Sequence, residues 1–534
     1  MKKNIKFALI TLFIVFPVLN LPAQKQKNID RQALAAIKAA TSYMIDQVSY
    51  NGGFVWEYLP DLSRQWGEME ARRSQAWTQG SATPAMGDYF LDLYKVTGDE
   101  YYYQCAERVA AALIYGQLEC GGWNYTFDFA GENAMKEWYN TIGKNGWRLE
   151  EFHHYYGNAT NDDDASMQPS QFILRIYTEK WDPKFRSALD KAINYVIKSQ
   201  YPIGGWPQRY PLKYEYSKNG APDYSSYITY NDGVHRNCID FLLTCYQVLG
   251  DKNLLDPIFR AMNCTVTLQQ GRPQAGWAKQ YSLDYNPAGA RSYEPKSINP
   301  RVTSWCIKDL MDFYQITGDR KYLNPIPAAF EWLESVSVRE QDLLPKEKPL
   351  QPGYIACPKY VEVGTNKGLF SHRIGTNVKN GKYVIAYDRM YKEYPSKLMM
   401  IDLKGMKDRY NSLLRITVDE ATNGSPLKRL EPFRIPLVKL NNRINVTETE
   451  AHNIISDLNV KGYWLSPLNS VSNKYIGDMP DDFVPSQEDY TQAYSRGDKY
   501  DTSPYNPDKP VMGITTKFYM EQVNKLMSFL YNKK

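Results

Sequence analysis

The 534-residue chain has little of what several common chemistries require. It holds only five histidines, and the adjacent pair His153 and His154 reads as loop packing, because consecutive residues of a helix or strand point apart. Its seven cysteines (Cys105, Cys120, Cys238, Cys245, Cys264, Cys306 and Cys357) are odd in number and lack paired metal-type spacing. Zinc-ribbon arrangements are thereby excluded, and at least one thiol is free or pairs between chains. A formal net charge of +5, which falls to +2 without the first 23 residues, leaves a nearly neutral chain with no global reason to bind nucleic acid. No Gly/Ser-rich linker, Ser-His-Asp arrangement, phosphate-cradling glycine loop or nucleotide fingerprint occurs. After the first two dozen residues no apolar run is long enough to span a bilayer.

The N-terminus, MKKNIKFALITLFIVFPVLNLPAQ, combines basic Lys2, Lys3 and Lys6 with an apolar run broken by Pro17 and a small residue, Ala23. That pattern predicts a secretory signal over residues 1–23, no stable membrane insertion after its removal, and a secreted or periplasmic mature chain. No cysteine follows the run, so lipid attachment there has no support. Its removal takes three lysines and no acids, lowering the formal charge from +5 to +2.

What the chain has in excess is tyrosine, 43 residues, together with 12 tryptophans. Such rings offer a flat apolar face and a polar edge, which suits polyhydroxylated ligands. A glycine-aromatic step recurs as Gly52-Gly53-Phe54, Gly121-Gly122-Trp123, Gly204-Gly205-Trp206 and Ala275-Gly276-Trp277. Out of phase with it, Tyr94, Tyr177, Tyr246 and Tyr314 are each followed five residues later by Asp99, Asp182, Asp251 and Asp319. A glycine before three of these aspartates predicts a left-handed helix end, and the aspartate an N-cap for the next helix.

Between these punctuation marks lie segments such as YYQCAERVAAALIYGQ, with apolar residues at helical spacing. Repeated helical hairpins that cannot bury their own stripes must stack. The predicted fold is all-α, an (α/α) toroid over residues 24–395. Minor strands fall at KYVEVG and KYVIAYDRMY, and a loop-rich extension over 396–534, with residues 464–512 as loop, ends in an amphipathic helix packed on the toroid. A monomer is expected. Function belongs at the glycine-aromatic end, where the loops are long. There Trp206 and Trp277 are expected to stack on sugar faces, with Trp123 either a platform or a core anchor.

Three clusters at that end carry chemistry. In ATNDDDASMQ, Asp162, Asp163 and Asp164 crowd before a helix, and such carboxylates repel unless a cation or helix N-terminus offsets them. In YITYNDGVHRN, Asn231 and Asp232 stand at the same place one repeat later. Helix capping explains either alone; together they offer the oxygen ligands of a hard cation such as Ca²⁺. The third cluster holds Lys279, Arg291 and Glu294, with Lys359, Lys367 and Arg373 further on. Cations opposite carboxylates fit an acidic polysaccharide bridged to the protein by metal, and arginine forks clamp carboxylates.

The segments GGWPQRYP, YITYNDG, GWAKQY, ARSYEP and YVEVGTNKGLFSHR resemble, in order and rough spacing, those of the polysaccharide lyase family 10 pectate lyases, over roughly residues 35 to 390. The resemblance implies a toroid that cleaves polygalacturonate by Ca²⁺-dependent β-elimination. By it, Asp232 is the calcium-binding aspartate, Asp162 the second acid at the metal and substrate carboxylate, Arg291 the base that takes the C5 proton, and Arg373 a substrate clamp. Two positions depart from the family pattern: its Asp-Asn pair reads Asp162-Asp163 here, and an arginine reads Lys359. Rival readings are a toroidal glycoside hydrolase using Asp232 with one of Asp162 to Asp164 or Glu294 as its two carboxylates, and a non-catalytic glycan-binding protein.

Overall fold

The computed structural model describes residues 21–145, 150–213, 223–345, 347–374, 382–390, 396–428, 433–440, 444–468 and 511–531. Residues 1–20 of the signal-like segment, and nearly all of the loop region expected over 464–512, lie outside the described residues.

After α1 (Leu21–Tyr43), helices come in hairpins: α2 (Thr83–Thr97) with α3 (Glu100–Gly116), then, past α4 (Glu132–Thr141), α5 (Met167–Lys180) with α6 (Arg186–Ser199). The series continues with α7 (Val234–Leu249) and α8 (Leu255–Thr267), then α9 (Pro300–Thr317) and α10 (Ile326–Ser335). The first helices of successive hairpins form the inner layer, α2 against α5 and α5 against α7. Eleven consecutive residues of α2, Thr83 to Leu93, are buried, which is what a helix covered on all sides requires. The hairpins thus stack as the layers of an (α/α) toroid.

The hairpin turns are built as the sequence predicts. Gly98, Gly250 and Gly318 end their helices with φ of 71°, 71° and 75°. Asp99, Asp182, Asp251 and Asp319 each accept a hydrogen bond from the backbone N–H two residues on, at 2.9–3.0 Å.

The glycine-aromatic steps are joints between hairpins. A side chain on Gly121 or Gly204 would place its Cβ 2.1 Å from the Lys191 carbonyl of α6 or 2.2 Å from the Arg260 carbonyl of α8. Bare backbone is needed where the loop crosses the next outer helix. The following indoles turn inward, and Trp123, Trp206 and Trp277 donate to the carbonyls of Leu113, Val196 and Thr265 at 2.7–2.8 Å.

The C-terminal portion completes the array. Helices α11 (Leu403–Arg415) and α12 (Val418–Ala421) pack on α9. After α13 (Glu448–Ser456), the strand Met512–Thr515 pairs antiparallel with Glu57–Tyr58, and α14 (Thr516–Tyr531) packs on α1 and α2. The expected late strands form as Tyr360–Glu362 and Lys382–Ala386. All seven cysteines are free thiols, six of them buried.

Candidate active site

Two short strands deliver the acidic turns. Ala159–Thr160 pairs with Arg209–Tyr210, and Ile228–Thr229 with Gln280–Tyr281. Each strand runs into a tight turn before an inner helix, Asp162–Asp164 before α5 and Asn231–Gly233 before α7. The turns superimpose in conformation: Asp163 and Asp232 have φ of 47° and 50°, and the next residues, Asp164 and Gly233, 63° and 75°. Non-glycine residues in this region cost about 1–3 kcal/mol and persist where the surroundings enforce them, often at functional sites. The two turns pack on one another. Within the second turn the Asn231 amide donates to Asp232, and the Asn237 amide of α7 donates across to Asp164 of the first.

Arg291 reaches this place from the loop before α9. Its guanidinium is 6 % exposed and divides its donors among three carboxylates. Nε donates to Glu151 at 3.0 Å, Nη1 to Glu294 at 3.2 Å and Nη2 to Asp162 at 2.6 Å. Tyr125 donates its hydroxyl to the same Asp162 oxygen at 2.5 Å, and Lys279 pairs with Glu294. The backbone N–H of Ser292 is taken by Glu150 at 3.1 Å, so Glu150 and Glu151 together hold the Arg291 loop from the opposite side.

The electrostatics follow from this crowding. Burial and then the charges of Asp162, Asp232 and Glu68 push the Asp163 carboxyl far above its ordinary range. Asp232 is also raised, by burial and Asp162, while Arg291 and Lys279 pull it back. Burial alone would raise Glu294, but Lys279 and Arg291 outweigh it and bring it down to about 2. Burial opposes the charge on Arg291, yet Glu151, Asp162 and Glu294 hold its pKa well above the usual value.

The donor set suits a hard cation. Asp162 is fully buried, and its second oxygen, Oδ1, has no hydrogen-bond partner among the described residues. Beside it the mutual repulsion of Asp162, Asp163 and Asp232 is what a divalent ion would relieve. Among the described residues no group of three or more His, Cys, Asp or Glu side chains is placed to hold a metal ion. An ion held here would therefore draw further oxygens from solvent or a bound ligand.

Of the residues singled out in the sequence, Asp162, Asp163, Asn231, Asp232, Lys279 and Arg291 come together. Lys359 is exposed over the Tyr360 ring at 5.3 Å, with its charge acting on Glu294. Arg373 lies on the strand Gly368–Ile374, and its side chain is outside the described residues. Trp206 and Trp277 are corrected: both have 0 % exposure and no sugar can stack on them. Their rings fill the seams between hairpins, and Trp123, also 0 % exposed, is a core anchor in the same way. Sequence reasoning missed Glu151, Tyr125 and Arg209. The last is a buried guanidinium 4.5 Å from the Tyr156 ring centre, one residue before the tyrosine of GGWPQRYP.

Residues 132–393 match the family described as pectic acid lyase. This stretch belongs to the pectic acid lyase family. It contains the whole constellation around Arg291 apart from Tyr125, and the enzyme is a pectate lyase. No curated protein matches the chain. Among solved structures, the pectate lyase is similar to a family 10 polysaccharide lyase from Cellvibrio cellulosa. Identity is 17 %, 62 % of this chain and 97 % of that one are covered, and the TM-score is 0.39. A mutant of a family 10 polysaccharide lyase from the same organism, in complex with trigalacturonic acid, gives 17 % identity, 62 % and 98 % coverage and a TM-score of 0.39. A cellobiose 2-epimerase from Bacillus thermoamylovorans gives 12 %, 64 % and 92 %, and 0.31.

Proposed function

We propose that this pectate lyase cleaves polygalacturonate by Ca²⁺-dependent β-elimination, with Arg291 taking the C5 proton. The observation that carries the reading is the 2.6 Å contact between Arg291 Nη2 and Asp162 Oδ2, which joins one buried guanidinium to the first acidic turn, itself packed on the turn of the next repeat. Asp162, Asp163 and Asp232 would hold the ion, with the side-chain oxygen of Asn231 beside them. When bound, Ca²⁺ offsets the charge of a uronate carboxylate and so makes the neighbouring C5 proton acidic.

The protein's own groups do the rest. Glu151, Glu294 and Asp162 each take a different guanidinium nitrogen and so fix the plane of Arg291. Lys279 offsets the charge of Glu294. Lys359 and Arg373 provide cations for the carboxylates of flanking uronates. To accept the C5 proton, Arg291 must first give up its own, which the surrounding carboxylates resist; alkaline conditions favour that loss. The C5–H bond and the C4–O bond break, a C4=C5 double bond forms, the leaving oxygen is protonated from solvent, and no water is consumed.

Export with loss of residues 1–23 belongs to the same reading, and N-terminal sequencing of protein from the medium or periplasm is expected to begin at Gln24. The catalytic assignment is tested with Arg291→Ala and Arg291→Lys on polygalacturonate, following the ultraviolet absorbance of the unsaturated product. Turnover is expected to fall by about 10²–10⁴ in Arg291→Ala and to rise toward alkaline pH in the unaltered enzyme. Near-native turnover by Arg291→Ala would remove the arginine from the proton transfer.

A further inference from the structure

A cleft of about 680 Å³ opens beside the segment that carries Tyr125. Asn124, Thr126 and Asp128 line it, whereas Tyr125, between the first two, turns to Asp162. The cleft thus neighbours the catalytic constellation without sharing its charged groups. Its volume is in the range of small-molecule sites.

Its walls have two kinds of surface. Tyr115, at the end of α3, is 54 % exposed and is backed by Phe129 in a stacked pair, with ring centres 4.8 Å apart and planes at 21°. The backing fixes the ring, so its exposed surface is a platform presented at little entropic cost. The polar wall is fixed as well. Asn124 donates to Tyr139 at 3.2 Å and Asn158 to the Pro211 carbonyl at 2.9 Å, and both accept from Arg209. What is left over is one acceptor: Asp128 is 3 % exposed, its Oδ1 takes the Ala130 N–H at 2.8 Å, and its Oδ2 has no partner among the described residues. A buried carboxylate oxygen left unpaired is costly, and it calls for a donor that the described residues do not supply.

Charge decides which donor. Glu119, Asp128 and Glu132 line the cleft, Lys198 is its one lining cation among the described residues, and Lys136 is already paired with Glu132 at 3.0 Å, so the wall offers acceptors and no arginine fork to clamp a uronate or other anion. The acids do not converge as a metal site among the described residues. A ligand with hydroxyl donors, an apolar ring face and no charge meets both walls. We propose that this cleft binds a neutral saccharide, with a hydroxyl donating to Asp128 Oδ2 and a sugar face on Tyr115. The assignment stands apart from the elimination chemistry, since none of its groups is placed in that mechanism.

The test is calorimetric titration of the full chain with cellobiose, with galactobiose and with trigalacturonate, repeated on Tyr115→Ala and Asp128→Asn. At least one neutral disaccharide is expected to bind saturably, and each substitution to weaken it at least tenfold while Tyr115→Ala cleaves polygalacturonate at the unaltered rate. Asparagine keeps an acceptor for the Ala130 N–H, and Tyr115 is exposed; if Asp128→Asn fails to fold, the Tyr115 variant alone still decides. No saturable binding of either disaccharide, binding indifferent to Tyr115→Ala, or trigalacturonate binding that Tyr115→Ala weakens would each overturn the proposal.

Discussion

His235 carries a pH dependence of stability that is separate from the chemistry. It is buried between Tyr230, stacked at 4.5 Å, and Trp206, and burial, aided by the Arg236 charge against the Ala261 hydrogen bond, lowers its pKa from 6.5 to about 4. Because the folded value is the lower one, the unfolded chain binds a proton that the native state refuses between those limits. The contribution of His235 to stability is therefore complete above pH 6.5 and is lost as pH falls toward 4, by about 3 kcal/mol in all. Urea titrations at pH 7 and 4.5 are expected to show a smaller acid loss in His235→Gln. Trp206 is the other residue whose meaning is structural. Trp206→Ala is expected to cost about 3–5 kcal/mol of stability, seen as a lower melting temperature, whereas a sugar platform would lose affinity and leave melting unchanged. The tryptophans were misread because a glycine beside an aromatic ring looks the same whether the ring faces solvent or a seam; only the neighbouring helix decides. Glu151 was invisible for a related reason, since its pairing with Arg291 spans 140 residues and leaves no local pattern.

At the scale of elements, the hairpin turns were legible and the acidic turns only in part. Gly-Asp punctuation acts within five residues, so it can be read directly: Asp251→Ala is expected to destabilise by about 0.5–2 kcal/mol without touching turnover, checked by thermal melting beside the ultraviolet assay. The two turns at Asp163 and Asp232 were recognised by composition, but their left-handed backbone and mutual packing arise from the strands and inner helices that hold them. Asp163 has its pKa raised by burial and by Asp162, Asp232 and Glu68, so its deprotonation weighs against the folded state. The sign is fixed by that rise: the turn is at its most stable below the ordinary aspartate pKa and loses stability as pH climbs. Asp163→Asn is expected to be more stable than the unaltered enzyme at pH 8 by more than about 1 kcal/mol, with the difference shrinking when Ca²⁺ is added. An equally large difference with and without Ca²⁺ would separate Asp163 from the ion.

The whole molecule depends on the C-terminal portion more than its loop-rich sequence suggests. Asp92, buried on α2 and paired with Arg175 of α5, accepts the backbone N–H groups of Val438, Lys439 and Leu440 at 2.7–3.1 Å. Val523 and Leu526 of α14 are fully buried, and Tyr519 shares a hydrogen bond with Thr41 of α1. Truncation after residue 395 therefore strips the first hairpin of its neighbour, and the product is expected to be insoluble or to lose its cooperative melting transition. The toroid itself was legible from helical periodicity and its punctuation, while the tail's hold on the first hairpin was not, because the residues it joins there lie more than 300 positions apart. The central claim concerns the buried guanidinium and the acidic turns acting together on a uronate. Its most direct test is purified enzyme on polygalacturonate at alkaline pH, followed in the ultraviolet with Ca²⁺ and again with a chelator. The account predicts rising absorbance with Ca²⁺ and none with the chelator; new reducing ends without absorbance, or absorbance indifferent to the chelator, would contradict it.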